Sequence, residues 1–145
     1  MRQGPEPRLE LTVQWVAKAE EDLRLARHGL KMGGDCPFGL ICFHAQQVAE
    51  KYIKAMLTYH QILFRKSHDL KELARLLPKG ISLGVGGRSL AELSEHGVRP
   101  RYPYAGEPET RASAVRSLRR AERIKRSALR NLPALRRLDP AFLHP

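Results

Sequence analysis

The sequence predicts an all-α fold, an antiparallel up-and-down bundle of four to five helices. Apolar residues recur at three- and four-residue spacing in several segments, glycine and proline separate these segments, and strand-like alternation is absent. At 145 residues the chain has the size of one domain and can bury a core without disulfides or metal. We therefore expect one domain over residues 1–145, with its core at about 13–132, a flexible N-terminus at 1–10 and a tail at 133–145.

Helix-end signals place the first two helices. Apolar spacing predicts a helix over residues 13–30, with Thr12 as its N-cap and Gly33 and Gly34 after its end. Pro37 suits the first turn of a second helix that continues to about residue 59 or 60. A short connection then follows, and the two helices pack against each other.

In the second half of the chain, the sequence pattern predicts shorter elements followed by one long helix. Ser67 caps a third helix over 68–77, and four glycines within 79–89 favour a flexible loop. A short helix follows over 90–95, and the last helix extends over 108–132 with a proline at its start.

The second helix carries two distinct faces. One face is apolar and predicts the core: Phe38, Ile41, Cys42, Ala45, Ala49, Tyr52, Ile53 and Met56. The opposite face combines amides, charges and one aromatic ring: Phe43, Gln46, Gln47, Glu50, Lys51 and Lys54. A face that only contacts solvent rarely includes a Phe, so this second face indicates a function.

Three ordered elements of this sequence resemble the HEPN family. The first is Phe43-His44-Ala45-Gln46-Gln47 with Glu50-Lys51 and Lys54-Ala55, the second is Ser67-His68-Asp69-Leu70, and the third is Arg101-Tyr102-Pro103. The resemblance covers roughly residues 13–132 and implies a HEPN-like helical bundle. The family includes ribonuclease toxins, nucleotide-binding partners of minimal nucleotidyltransferases, and members with no known activity.

The ribonuclease signature of catalytic HEPN toxins is missing from this sequence. In those toxins an Arg is followed after four to six residues by a His at the start of the last conserved helix. Here Arg24 and His28 are too close and lie in the first helix, and Arg88 and His96 are too far apart. No His follows Arg101 before His144. The resemblance therefore does not carry ribonuclease activity onto this chain, and we expect no catalytic residues.

The resemblance and the polar chemistry together suggest residues that contact nucleotide or RNA. Cations would contact phosphate, and Gln46 and Tyr102 a sugar or base. Each feature also has a structural interpretation, because Glu50 and Lys54 are spaced for a helical ion pair and Asp69 suits a first helical turn. The predicted contacts are Gln46, Glu50, Lys51, Lys54, His68, Asp69, Arg101 and Tyr102.

The chain has a formal net charge of +11, and its surplus is concentrated in the last third. A surplus of this kind favours polyanionic partners, although solubilising arginines are the alternative. Within the last helix six arginines fall inside an arc of about 120°. This predicted basic ridge comprises Arg116, Arg119, Arg120, Arg123, Arg126 and Arg130.

The remaining composition argues against several other classes of protein. Cys36 and Cys42 lack the paired histidine motif of a zinc site, so we expect ordinary thiols, no metal and no cofactor. Neither a membrane span nor the apolar middle of a signal peptide is present, which makes a cytoplasmic location the expectation.

The sequence thus supports a main hypothesis and two alternatives. The main one is a non-catalytic HEPN protein that binds nucleotide or RNA, forms a homodimer and works with a minimal nucleotidyltransferase in a toxin-antitoxin-like pair. One alternative is a HEPN ribonuclease with a degenerate site, in which His44 or His68 acts with Glu50. The other is a homodimeric protein-interaction scaffold, with Phe43 at the dimer interface.

Overall fold

The computed structural model describes residues 7–97, 103 and 106–137. All regular elements within these ranges are helical, which confirms the predicted all-α bundle. Two 3₁₀ segments, Leu30–Asp35 and Pro133–Arg137, accompany five α-helices. The helices are α1 Pro7–Gly29, α2 Phe38–Tyr59, α3 Leu70–Arg75, α4 Gly87–Glu95 and α5 Arg111–Arg130.

Contacts between helix ends define how the long helices run. The guanidinium of Arg8, at the start of α1, donates to the carbonyl of Tyr59 at the end of α2. Arg111, at the start of α5, lies over the Phe38 ring at the start of α2 and donates to the carbonyl of Leu30. Helix α1 is therefore antiparallel to α2 and α5, and the chain returns between them through α3 and α4.

Helix α2 forms the centre of the bundle because it packs against α1, α3, α4 and α5. Its apolar face is buried as predicted, with Cys42, Ala45 and Tyr52 fully inaccessible. The face predicted to be polar is also largely covered, since Gln46, Glu50 and Lys54 are buried. A helix enclosed on most sides needs partners for its polar groups, and these partners build the site described below.

Helix α1 begins at Pro7 and not at residue 13. Proline suits a first helical turn, and Glu10 is favourably placed near the positive end of the helix. The prediction of Thr12 as N-cap is wrong, because its hydroxyl donates to the carbonyl of Arg8 inside the helix. Residues 1–6 lie outside the described ranges.

The shorter helices also begin at different residues from those predicted. Asp69, not Ser67, caps α3, since its carboxylate accepts from the backbone N–H groups of Lys71 and Glu72. Helix α4 begins at Gly87, within the segment predicted as a glycine-rich loop. Helix α5 begins after Thr110, whose capping box with Ser113 fixes the start that the sequence placed at residue 108.

No helix in the described ranges is long and apolar enough to cross a membrane.

Candidate functional site

The basic ridge lies on the outer side of α5. Five of its six arginines are exposed, and Arg120 is half-buried. The opposite side of α5 packs into the core through the fully buried Ala114, Ala121 and Ile124. Because this apolar stripe fixes the rotation of the helix, the arginines point away from the bundle.

Four ridge arginines line a groove between α4 and α5 with a volume of about 630 Å³. We call this space the arginine groove. Four cations around one space favour phosphate and other anions, and each guanidinium presents a planar fork of donors. The lining residues are Arg116, Arg119, Arg120, Arg123, Ser89, Ala112 and Val115.

Acidic residues neutralise only part of this charge. Nη1 of Arg120 donates to Oε2 of Glu92 on α4 at 2.8 Å, and this contact lowers the pKa of Glu92. Glu122 of α5 pairs with Arg27 of α1 at 3.1 Å and thus faces away from the groove. Within the described part of the chain, the other three groove arginines, Arg116, Arg119 and Arg123, form no ion pair.

A second polar cluster, which we call the Glu50 network, lies between α2 and the segment before α3. Oε1 of Glu50 accepts from Nε2 of Gln46 at 3.2 Å and lies 2.8 Å from Nδ1 of His68. Oε2 accepts from Nζ of Lys54 at 3.2 Å. The side chains of Gln46, Glu50 and Lys54 are buried, whereas that of His68 is 65% exposed.

Lys54 is stabilised by more than its ion pair. Its ammonium group lies 5.5 Å from the centre of the Trp15 ring and 5.8 Å from that of Phe64. Aromatic faces attract cations, and the attraction grows where water is excluded. The buried charge of Lys54 is thus compensated by one carboxylate and two rings, and the ion pair with Glu50 is present as its spacing predicted.

A third cluster joins α1 to α2 through Asp22. Its carboxylate lies 2.8 Å from Nδ1 of His44 and accepts from Nζ of Lys51. Burial raises the pKa of Asp22, but hydrogen bonds and charges from His44 and Lys51 outweigh it and hold the pKa below its ordinary value. His44 therefore pairs with Asp22, whereas His68 pairs with Glu50.

The structure brings together only part of the predicted nucleotide-contacting set. Asp69 is exposed next to the Glu50 network, where it caps α3. Lys51 belongs to the separate Asp22 cluster. Arg101 and Tyr102 lie outside the described residues. Whether any of these side chains contacts a ligand stays a prediction.

Comparison with known proteins decides the family of the chain. The HEPN domain matches residues 12–132, which is most of the chain. The chain belongs to the HEPN family. This confirms the resemblance carried by the three motif elements.

Two similar proteins extend the comparison of this HEPN chain. A candidate toxin of Methanocaldococcus jannaschii, MJ1304, is 31% identical over 64% of this chain and 65% of that protein's length. The crystal structure of TT1696 from Thermus thermophilus aligns with a TM-score of 0.72 and 25% identity. The alignment covers 83% of this chain and 98% of the Thermus chain.

The Glu50 network explains the spacing of two HEPN motif elements. Gln46, Glu50 and Lys54 recur every four residues, so their side chains line one side of α2. Besides its contact with Glu50, Gln46 also accepts from Gln47 and donates to the carbonyl of His68 in the second element. The two elements are therefore joined by direct hydrogen bonds.

Besides the Asp22 cluster, two further polar clusters were missed by the sequence analysis. In the first, the Tyr52 hydroxyl donates to Glu20, and Lys125 lies 2.8 Å from the same carboxylate. Burial and the Glu20 charge raise the pKa of Tyr52. The sequence did contain a signal for this cluster, because Glu20 and Lys125 are charged residues within the apolar stripes of α1 and α5. The second cluster comprises Cys42, His96 and Glu109 and had no signal in short-range spacing.

Proposed function

We propose that this HEPN protein is non-catalytic and binds RNA through the arginine groove. The observation that carries the proposal is the convergence of four arginines on one space between α4 and α5. Three of them, Arg116, Arg119 and Arg123, are exposed. The missing Arg-to-His signature supports binding without cleavage.

The chemistry of the groove suits a phosphate backbone. One guanidinium group can donate to two oxygens of the same phosphate. Each phosphate that an arginine neutralises also releases counterions that were condensed on the nucleic acid. Arg126 and Arg130 continue the ridge beyond the groove along α5, so a strand could contact more cations than one nucleotide does. We therefore expect RNA to bind more tightly than ATP.

Equilibrium binding of labelled single-stranded RNA and of ATP tests the proposal. We expect the variant Arg116→Gln, Arg119→Gln, Arg123→Gln to lose RNA affinity while it keeps the Arg120–Glu92 ion pair. A control variant with Arg24, Arg65 and Lys66 changed to Gln removes the same charge elsewhere and should bind nearly as well as the wild type. No measurable RNA binding by the wild-type protein at near-physiological salt would refute the proposal.

One observation favours a second candidate function, RNA cleavage at a degenerate site. The exposed imidazole of His68 is held 2.8 Å from the buried carboxylate of Glu50, an arrangement that can orient a general base. Incubation with total and transfer RNA separates the two functions. Cleavage that is lost in His68→Ala but kept in His44→Ala would support this candidate, and an absence of cleavage by the wild type removes it.

We also propose that the protein works with a minimal nucleotidyltransferase in a toxin-antitoxin-like pair. The support is family membership and the similarity to the candidate toxin MJ1304. Co-expression with a minimal nucleotidyltransferase from the same organism, followed by co-purification, tests this part. Recovery of the HEPN protein alone, under conditions in which both chains are soluble, would count against it.

Homodimerisation through α2 is a further part of the proposal. Phe43 is half-buried, and its ring packs edge-on against that of His44 at 5.2 Å between centres. A partly accessible aromatic ring on a central helix suits an interface. Light scattering should give a dimer for the wild type and a monomer for Phe43→Asp. A dimer that binds no RNA at any salt would instead support the interaction-scaffold alternative.

A further inference from the structure

Three side chains from separate parts of the chain converge beside the start of α5. Cys42 belongs to α2, His96 follows α4, and Glu109 precedes the Thr110 cap. One ligand atom of each residue lies within 4.8 Å of the other two. Nδ1 of His96 and Oε1 of Glu109 are 3.4 Å apart.

We propose that Cys42, His96 and Glu109 form a binding site for Zn²⁺. A thiolate, an imidazole and a carboxylate are the ligand types that zinc prefers, whereas Ca²⁺ and Mg²⁺ prefer oxygen ligands alone. Bond lengths of about 2.0–2.3 Å in a tetrahedral site place ligand atoms roughly 3.3–3.8 Å from each other. The 3.4 Å pair already matches this spacing, and Cys42, whose sulfur lies within 4.8 Å of both, needs to approach by at most about 1.3 Å.

The surroundings of the sulfur also suit a metal ligand. Cys42 is fully buried, while the side chains of His96 and Glu109 are 12% and 17% exposed, so a cation can enter from their side. Burial raises the pKa of the Cys42 thiol above its ordinary value, and it outweighs the opposite effect of Ser113 and Ser117 on α5. A bound Zn²⁺ would deprotonate a coordinating thiol outright and so overcome this shift.

The net charge of the cluster agrees with a dication. A thiolate and a carboxylate supply two negative charges, which one Zn²⁺ balances next to the neutral imidazole. Three protein ligands leave a fourth position for water or an external ligand.

The site would have a structural consequence for the segment between its ligands. His96 and Glu109 bracket residues 97–108, which include the third HEPN motif element. A metal bound to both residues and to Cys42 of α2 would fix both ends of this segment on the bundle. Metal binding should therefore stabilise the folded state.

Metal analysis of the untagged, full-length protein tests the proposal. After exposure to Zn²⁺ and gel filtration, we expect one equivalent retained per chain and a raised thermal unfolding temperature. Co²⁺ should give an absorption band of thiolate-to-cobalt charge transfer. Cys36→Ser is the matched control, because Cys36 is also a buried free cysteine but lies outside the cluster.

The variants distinguish this site from adventitious binding. Cys42→Ser and Glu109→Gln should both lose the bound zinc, and Cys42→Ser should also lose the cobalt band. The Glu109 side chain is partly exposed and Glu109→Gln is isosteric, so this variant tests the site even if Cys42→Ser fails to fold. The proposal would be overturned if the wild type retained no zinc. It would also be overturned if Cys36→Ser lost the bound zinc while Glu109→Gln kept it.

Discussion

Nη1 of Arg120 lies 2.8 Å from Oε2 of Glu92, and this ion pair joins α5 to α4 at the wall of the arginine groove. Glu92 thus has two effects: it holds one guanidinium in place, and it cancels one positive charge beside a predicted phosphate site. The other groove arginines, Arg116, Arg119 and Arg123, are exposed and form no ion pair within the described residues.

Glu92→Gln should strengthen RNA binding. Removing the carboxylate leaves Arg120 available to a phosphate, which should steepen the slope of log affinity against log salt by about 0.7. Fluorescence anisotropy across a salt series measures both changes. Glu10→Gln, an equal charge change on α1, should leave the slope unaltered. Weaker binding by Glu92→Gln would instead mean that the ion pair positions Arg120 for its ligand.

Glu50→Gln should destabilise the fold strongly. It leaves the buried ammonium group of Lys54 without its carboxylate, a change that costs about 3–5 kcal/mol in comparable sites. Urea unfolding measures the loss, and the double variant Glu50→Gln, Lys54→Met should recover most of it.

The exposed pair of Lys18 and Glu21 provides the control for this experiment. These side chains are 3.4 Å apart and more than half exposed, so Glu21→Gln should change stability by less than about 1 kcal/mol. Equal effects of Glu50→Gln and Glu21→Gln would show that the Glu50 network does not stabilise the fold.

Asp22→Asn should reduce stability in a pH-dependent way. The pKa of Asp22 is lowered in the folded protein, so its contribution is complete above the ordinary pKa of an aspartate and disappears as the pH falls through the lowered pKa. We expect a deficit of about 1–3 kcal/mol at neutral pH, because His44 and Lys51 lose a charged partner. Urea unfolding of both proteins from about pH 7 down to about pH 3 should show the deficit shrinking at the acidic end. A deficit independent of pH would contradict this.

Gly97→Ala should destabilise the contact between the end of α4 and α2. An added Cβ would lie 3.1 Å from Cδ of Gln46 and 3.2 Å from the carbonyl oxygen of Ser94. Gln46 is held by its own hydrogen bonds and cannot move away, so we expect a loss of about 1–3 kcal/mol in urea unfolding. Gly34→Ala, where a Cβ meets nothing within 4 Å, should stay within about 0.5 kcal/mol of the wild type.

Much of the fold was predictable from local signals. The periodicity of α2 and its proline start located that helix to within a residue or two, and the stripe on α5 placed the basic ridge on the outer side. Helix starts were harder, because several residues near each start can act as caps. Asp69 caps α3 in place of Ser67. The residue between them, His68, contacts α2 through both its carbonyl and its ring, and sequence spacing does not reveal these long-range contacts.

The candidate sites divide according to how local their signals are. The i,i+4 spacing of Gln46, Glu50 and Lys54 predicted their mutual contacts, but not that the same face of α2 would be buried. The residues that contact it are Trp15, Phe64, His68 and Gly97. The groove needs Ser89 of α4 as well as the ridge on α5, and the packing of these two helices leaves no signal in local spacing. Cys42, His96 and Glu109 come from three separate segments, so only the tertiary structure brings them together.

The salt dependence of RNA binding tests the central claim most directly. For single-stranded RNA, each neutralised phosphate contributes about 0.7 to the slope of log affinity against log salt. The variant Arg116→Gln, Arg119→Gln, Arg123→Gln should therefore have a slope shallower by about 2 than the wild type, whereas the control variant at Arg24, Arg65 and Lys66 should keep the wild-type slope. Equal slopes for the wild type and both variants would contradict an RNA site in the arginine groove.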